Sequence, residues 1–318
     1  MTDSARQIRE GNTRALARTA TGIENRDPQA LETLRELAPF AGHARIVGIT
    51  GPPGAGKSTL ADALASAIRR EGKTLAILAV DPTSSISGGA ILGDRIRMQR
   101  HHADPGIFIR SMATRGTLGG LARTTADLAQ LMDAAGKDYV FIETVGVGQA
   151  ETEIASLAQV TVVVLMPGMG DDVQTIKAGI LEIADVFAIN KSDQPGAGRV
   201  KQELEAMLSL SNGRKPAIVH TVATKGEGID QLLDAIRNTP HRAAAVRERS
   251  TVVESLEQLG FTLDDIHHIA LRVPDLNAAI ERLQSTGAHI VNGPKTSVFI
   301  RSASTGGVLL ELIEENGN

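Results

Sequence analysis

The chain has no cysteine and no tryptophan, and aromatic residues make up only 2% of its 318 positions. Without thiols, disulfides, thiolate nucleophiles and cysteine-built zinc sites are excluded. So few rings also leave no stacking platform of the kind that single-strand nucleic-acid binders use. Basic charge is not in excess: 33 Lys and Arg against 37 Asp and Glu give a formal net charge of -4, and no global field draws in nucleic acid. No apolar run approaches the length of a membrane span. The opening residues, MTDSARQIREGN, lack the apolar stretch of a secretory signal. What remains, 42% hydrophobic and 22% charged, is ordinary globular composition. It reads as a cytoplasmic enzyme or binding protein without nucleic-acid or membrane partners. The length allows about two domains.

The pattern along the chain changes three times. Up to residue 43 it is helical, with Ile8, Ala15, Leu16 and Ala20 on one face and Leu31, Leu34 and Leu37 on another. Asp27-Pro28 is a helix-start signal. From Ala44, short apolar runs alternate with helical stretches: ARIVGIT, TLAILAV, GIFIRS, DYVFIE, VTVVVLM, DVFAIN and PAIVHT. Continuous apolar strands separated by helices predict an α/β domain over 44–239, a parallel sheet covered on both faces. Residues 240–260 are charged and read as a helical connector, either a solvated helix or a partner-facing one. Residues 261–318 predict a small β-α-β-β-β module, which is little chain for an independent core and needs a partner surface.

Two motifs carry chemistry. GPPGAGKS, Gly51 to Ser58, fits G-x-x-x-x-G-K-[ST], follows an apolar strand and opens a helix. Gly51, Gly54 and Gly56 permit a tight loop whose N–H groups, with those of Ala55 and Thr59, can face phosphate oxygens. Lys57 can reach the β- and γ-phosphates, and Ser58 can ligate Mg²⁺. NKSD follows the run DVFAIN; in it Asn190, Lys191 and Asp193 are the base-reading candidates. An Asp carboxylate accepts both N1–H and the exocyclic amine of guanine, a donor pair that adenine lacks. Together the motifs predict a GTP/GDP site. In TVATKG, Val222, Ala223 and Thr224 can buttress the base through their backbone, or form an ordinary strand-to-helix turn.

Glu143 ends an apolar strand where a metal-side carboxylate is expected, with Asp81 and Asp94 as further candidates or solvated turn residues. Glu143 to Gly146 reads E-x-x-G. The next residue, Val147, cannot orient a water as a glutamine does there, which predicts slow intrinsic hydrolysis. Lys57 and Glu143 are the catalytic candidates among these.

GITGPPGAGKSTL, AVDPTSSISGGAILGDRIRM, SMATRGTLGGLA, ETVGVGQAE, PGMGDDVQTIKAGILEIAD and NKSD together resemble the MeaB/ArgK family of P-loop GTPases. The resemblance covers roughly Ile8 to Thr239. It implies a GTPase chaperone for an adenosylcobalamin-dependent acyl-CoA mutase, one that gates cofactor loading and protects the mutase, and it implies a homodimer. It also implies metal-side roles for Asp81, Asp94 and Glu143, a catalytic role for Asp94 beside Glu143 and Lys57, and signalling roles for Asp171, Gln174 and Lys177 in PGMGDDVQTIKAG. Capping of a helix by Asp171 or Asp172 is the plainer alternative there. A small-molecule kinase and a GTP-dependent metallochaperone are the competing functions. NKSD speaks against the first, and the lack of Cys- or His-rich tracts against the second.

The C-terminal module departs from the helical arm with which family members finish. HHIALRVPDLNAAIERL and STGGVLLELIE resemble half of methylmalonyl-CoA epimerase, in the vicinal-oxygen-chelate superfamily. That resemblance implies His268 and Glu311 as ligands of a divalent transition metal shared between two chains, with a strand histidine and an edge glutamate as the alternative.

Overall fold

The computed structural model describes residues 1–81, 101, 103–113, 120–144, 155–168, 183–209, 215–240, 269–273, 280, 290–292, 297–300 and 310–314. They fall in two compact units, Met1–Val246 and Arg247–Asn318.

Three helices begin the first unit: α1 (Asp3–Arg9), α2 (Thr13–Glu24) and α3 (Pro28–Leu37). Each has a side-chain cap. Thr2 accepts from Ala5 N–H, Asn12 from Arg14 and Ala15, and Asp27 from Gln29 and Ala30, with Pro28 opening α3. Gly11, at φ 85°, breaks the chain between α1 and α2. The apolar stripe Ile8–Leu16–Ala20 therefore spans two helices. In α3, Ala30 joins Leu34 and Leu37 in the core, and Leu31 is only partly buried.

The sheet has seven parallel strands in the order β3-β2-β4-β1-β5-β6-β7. They are β1 (Arg45–Thr50), β2 (Leu75–Asp81), β3 (Ile107–Ala113), β4 (Tyr139–Thr144), β5 (Val160–Leu165), β6 (Val186–Ile189) and β7 (Ala217–His220). The four described helices that accompany them are α4 (Lys57–Arg70), α5 (Gly120–Ala134), α6 (Ala197–Ser209) and α7 (Ile229–Asn238).

Strand alternation sorts the core onto two faces. Val47, Ile49, Ile77, Phe141 and Val164 meet Leu60, Leu64 and Ile68 of α4 and Leu232 and Ile236 of α7. Ile46, Leu78, Val140 and Ile142 point the other way, onto Leu128, Leu131 and Met132 of α5 and onto Ile8, Ile23, Leu34 and Leu37 of the N-terminal helices. The N-terminal helices thus cover one face of the sheet. Arg26 on Asp127 and Arg110 on Glu24 tie them down. The Asp133 carboxylate accepts from the backbone N–H groups of Gly42, His43 and Ala44 and fixes the entry to β1. From α7, Arg237 Nε donates to the hydroxyl of the buried Tyr139 at 3.0 Å.

The second unit holds a four-stranded sheet in the order β8-β11-β10-β9: β8 (Ile269–Val273), β9 (Ile290–Asn292), β10 (Ser297–Ile300) and β11 (Leu310–Glu314). β8 and β11 are parallel; the other pairs are antiparallel. The expected connector over 241–260 lies outside the described residues.

Candidate functional site

Parallel strands deliver the loops that follow them to one edge of the sheet. There, the end of β4 and the loops after β1, β5, β6 and β7 bring the two motifs together.

The loop after β1 is shaped by backbone geometry. Gly51 has φ 139°, and a Cβ there would sit 2.2 Å from the Val164 carbonyl oxygen, so the loop lies directly on β5. Gly56 has φ 88° and caps α4 with no side-chain hydrogen bond. A Cβ on Gly56 would meet Asn190 Nδ2 at 2.5 Å. An uncapped first turn beside a left-handed loop presents N–H groups and the positive end of a helix dipole, the arrangement that receives phosphate.

Lys57 is 6% exposed. Its ammonium donates to the carbonyls of Gly51 (2.7 Å) and Pro52 (3.0 Å), folded back over the loop it serves. Ser58 Oγ donates to Glu143 Oε1 at 2.5 Å, and both residues are buried. This brings the helix hydroxyl and the strand-end carboxylate, 85 residues apart, onto one point. Both donors are hard oxygens of the kind Mg²⁺ takes, so the set fits that ion. Behind it Thr144 donates to Thr50 at 3.0 Å and joins the ends of β4 and β1. One turn further along α4, Asp62 pairs with His101 at 2.7 Å, both buried; no motif announced this contact.

Asn190 joins the two halves. It is 2% exposed. Its Nδ2 donates to the Ala55 carbonyl at 2.9 Å, and its Oδ1 accepts from Thr221 Oγ1 (3.2 Å) and Ala223 N–H (3.1 Å). One amide thereby holds the phosphate loop to the loop after β7. Lys191, at φ 55°, reaches back to the Gly54 carbonyl at 2.8 Å and to Met166 Sδ at 3.5 Å. Asp193 stands open to solvent, with Lys225 Nζ 3.0 Å from its Oδ2. Its carboxyl is held below the usual carboxylate range, chiefly by the hydrogen bond from Lys225.

Asp81 ends β2, at the same sheet edge as Glu143. Asp94, Val147, Asp171, Gln174, Lys177 and His268 lie outside the described residues. Glu311 is on β11, in register with Phe299 of β10 and Ala270 of β8. No group of three or more His, Asp or Glu able to hold a metal occurs among the described residues. No described helix is long and apolar enough to cross a membrane.

Residues 16–260 match the family model described as methylmalonyl-CoA mutase-associated GTPase MeaB. The chain belongs to the MeaB family. It is a GTPase, as the members of that family are. A putative GTPase of Pyrococcus abyssi is 54% identical over 237 residues, 73% of each chain. The mouse mitochondrial methylmalonic aciduria type A homolog is 41% identical over 209 residues, 64% of this chain and 50% of that one. A crystal structure of an LAO/AO transport system kinase superposes with TM-score 0.60 at 27% identity, covering 90% of this chain and 82% of that chain. The MeaB match ends at residue 260. These comparisons lend no support to an epimerase-like module over 261–318, nor to a metal held by His268 and Glu311 there.

Proposed function

We propose that this MeaB-family GTPase serves a cobalamin-dependent acyl-CoA mutase, gating the loading of adenosylcobalamin and protecting or reactivating the mutase. The observation that carries the reading is the family match itself, whose description names association with methylmalonyl-CoA mutase. The 41% identity to the mouse methylmalonic aciduria homolog supports it.

In this reading the chain acts as a slow switch. The glycine loop with Ala55 and Thr59 receives the phosphates of GTP or GDP. Lys57 leaves the Gly51 and Pro52 carbonyls for the β- and γ-phosphate oxygens. Ser58 and Glu143, with Asp81 and Asp94, hold Mg²⁺, which when bound neutralises charge on those oxygens. Asp193 reads guanine, Asn190 and Lys191 tie its loop to the phosphate loop, and Val222, Ala223 and Thr224 line the base with backbone. Asp171, Gln174 and Lys177 relay the nucleotide state. The chain works as a homodimer, with residues 261–318 as the contact, in the cytoplasm.

The test is capture of the tagged chain followed by identification of a co-purifying cobalamin protein, then hydrolysis assays with that protein. The expected result is a mutase that raises the GTPase rate and receives adenosylcobalamin only when the chain can hydrolyse GTP. A mutase that neither binds the chain nor alters its turnover would refute the reading. The kinase description of the superposed structure supports one alternative, phosphorylation of a small acceptor. Labelled GTP yielding a phosphorylated acceptor without free phosphate would favour it.

A further inference from the structure

We infer that Lys225 is a specificity-determining residue of the base site: its ammonium stands in for the guanine donors on Asp193 and is displaced when guanine docks. The inference rests on the proposed role of Asp193 as the guanine reader.

The two backbones that carry this pair are fixed by the same loops. Lys225 ends a short 3-10 turn, Ala223–Lys225, whose first residue is held by Asn190. Lys225 N–H bonds the Val222 carbonyl at 2.9 Å, Val222 N–H bonds the Glu227 carbonyl at 3.0 Å, and Gly226 closes the turn at φ 73°. On the other side, Ser192 N–H bonds the Thr221 carbonyl at 3.1 Å and Gln194 N–H bonds the Lys191 carbonyl at 2.9 Å. The loops therefore aim the ammonium at Asp193 Oδ2, 3.0 Å away.

The pair is open, with side chains 54% and 40% exposed, so it can break and re-form at little cost. Glu227 adds a smaller contribution to the negative field at the Lys225 ammonium.

Guanine presents N1–H and an exocyclic amine, one for each carboxylate oxygen. To use both it must bond the oxygen that Lys225 holds, in competition with the ammonium for that oxygen's lone pairs. Hypoxanthine has N1–H and no exocyclic amine, so it needs only one oxygen, and the other is left for Lys225. The ammonium thus opposes guanine and spares hypoxanthine. It also recaptures Asp193 as the base leaves, which favours nucleotide release over rebinding.

The experiment titrates GDP and inosine diphosphate into the full chain, wild type and Lys225→Met, by calorimetry at low and moderate salt. Lys225→Met keeps the aliphatic stem and removes the charge. It should bind GDP about two- to fivefold tighter, the range open ion pairs span. Inosine diphosphate should change less, Lys225→Arg should behave as wild type, and added salt should close the gap. Unchanged or weaker GDP binding in Lys225→Met, or equal tightening of both nucleotides, overturns the inference. An Asp193→Asn arm separates the two claims. If it keeps GDP affinity, the base reader itself is misassigned; if it loses GDP while Lys225→Met is neutral, only the role of Lys225 fails.

Discussion

Lys57 and Asn190 stand in different surroundings at the candidate nucleotide site. Lys57 is a buried cation resting on two carbonyls, partners that the proposed function has it exchange for phosphate oxygens. Lys57→Ala should cut GTP turnover roughly a hundredfold or more, as loss of a donor aimed at transition-state charge does; near-normal turnover by phosphate release would reject the assignment. Asn190 is a different case, because it touches protein on both sides. Asn190→Ala strands the Ala55 carbonyl and the Ala223 N–H, each a loss of about 1–3 kcal/mol when buried. Thermal unfolding should fall and GDP affinity with it. Away from the site, Asp104 accepts from Arg69 Nε at 2.8 Å, and that hydrogen bond holds its carboxyl below the usual range. A depressed folded-state value means that the contribution is present above the ordinary carboxylate pKa and lost as pH falls through the lower one. Asp104→Asn should therefore narrow its stability gap to wild type on acidification, as read by chemical denaturation at a series of pH values.

At the scale of elements, the sheet was legible because each strand is an apolar run with a polar end. β1 and β5 are buried almost throughout since both faces of the sheet are covered, and their runs are apolar apart from Arg45, Thr50 and Thr161; the order of the strands is not written in any run. The phosphate loop was legible as spacing. What spacing does not carry is approach across the fold. The 2.5 Å contact of Ser58 with Glu143, the clamp of Asn190 on Ala55 and the placement of Lys225 beside Asp193 all join loops from different strands. The break at Gly11 was hidden because the apolar stripe continues through it. Seating of the phosphate loop on β5 yields its own prediction. Gly51→Ala places a Cβ against the Val164 carbonyl in a backbone region that L-residues rarely adopt. Nucleotide binding should be lost while the secondary structure seen by circular dichroism persists.

For the whole molecule, the N-terminal helices are part of the sheet's core, since Ile23 and Leu37 are fully buried among its residues. Leu37→Ala should cost about 2–5 kcal/mol in urea unfolding, and a value under 1 would mean the helices dock only loosely. The second unit is a mixed sheet of short strands, and dimerisation is the role proposed for it. A chain ending at Gly260 should then run as a monomer in light-scattering chromatography; a persistent tight dimer would place the contact elsewhere. Tyr139 allows such unfolding to be followed without any label. It is the chain's one tyrosine, there is no tryptophan, and its hydroxyl is joined to Arg237 of α7. Emission at tyrosine wavelengths therefore comes from a single fluorophore lodged between the sheet and α7. Its intensity is a built-in optical reporter of that contact, free of background from any other indole or phenol.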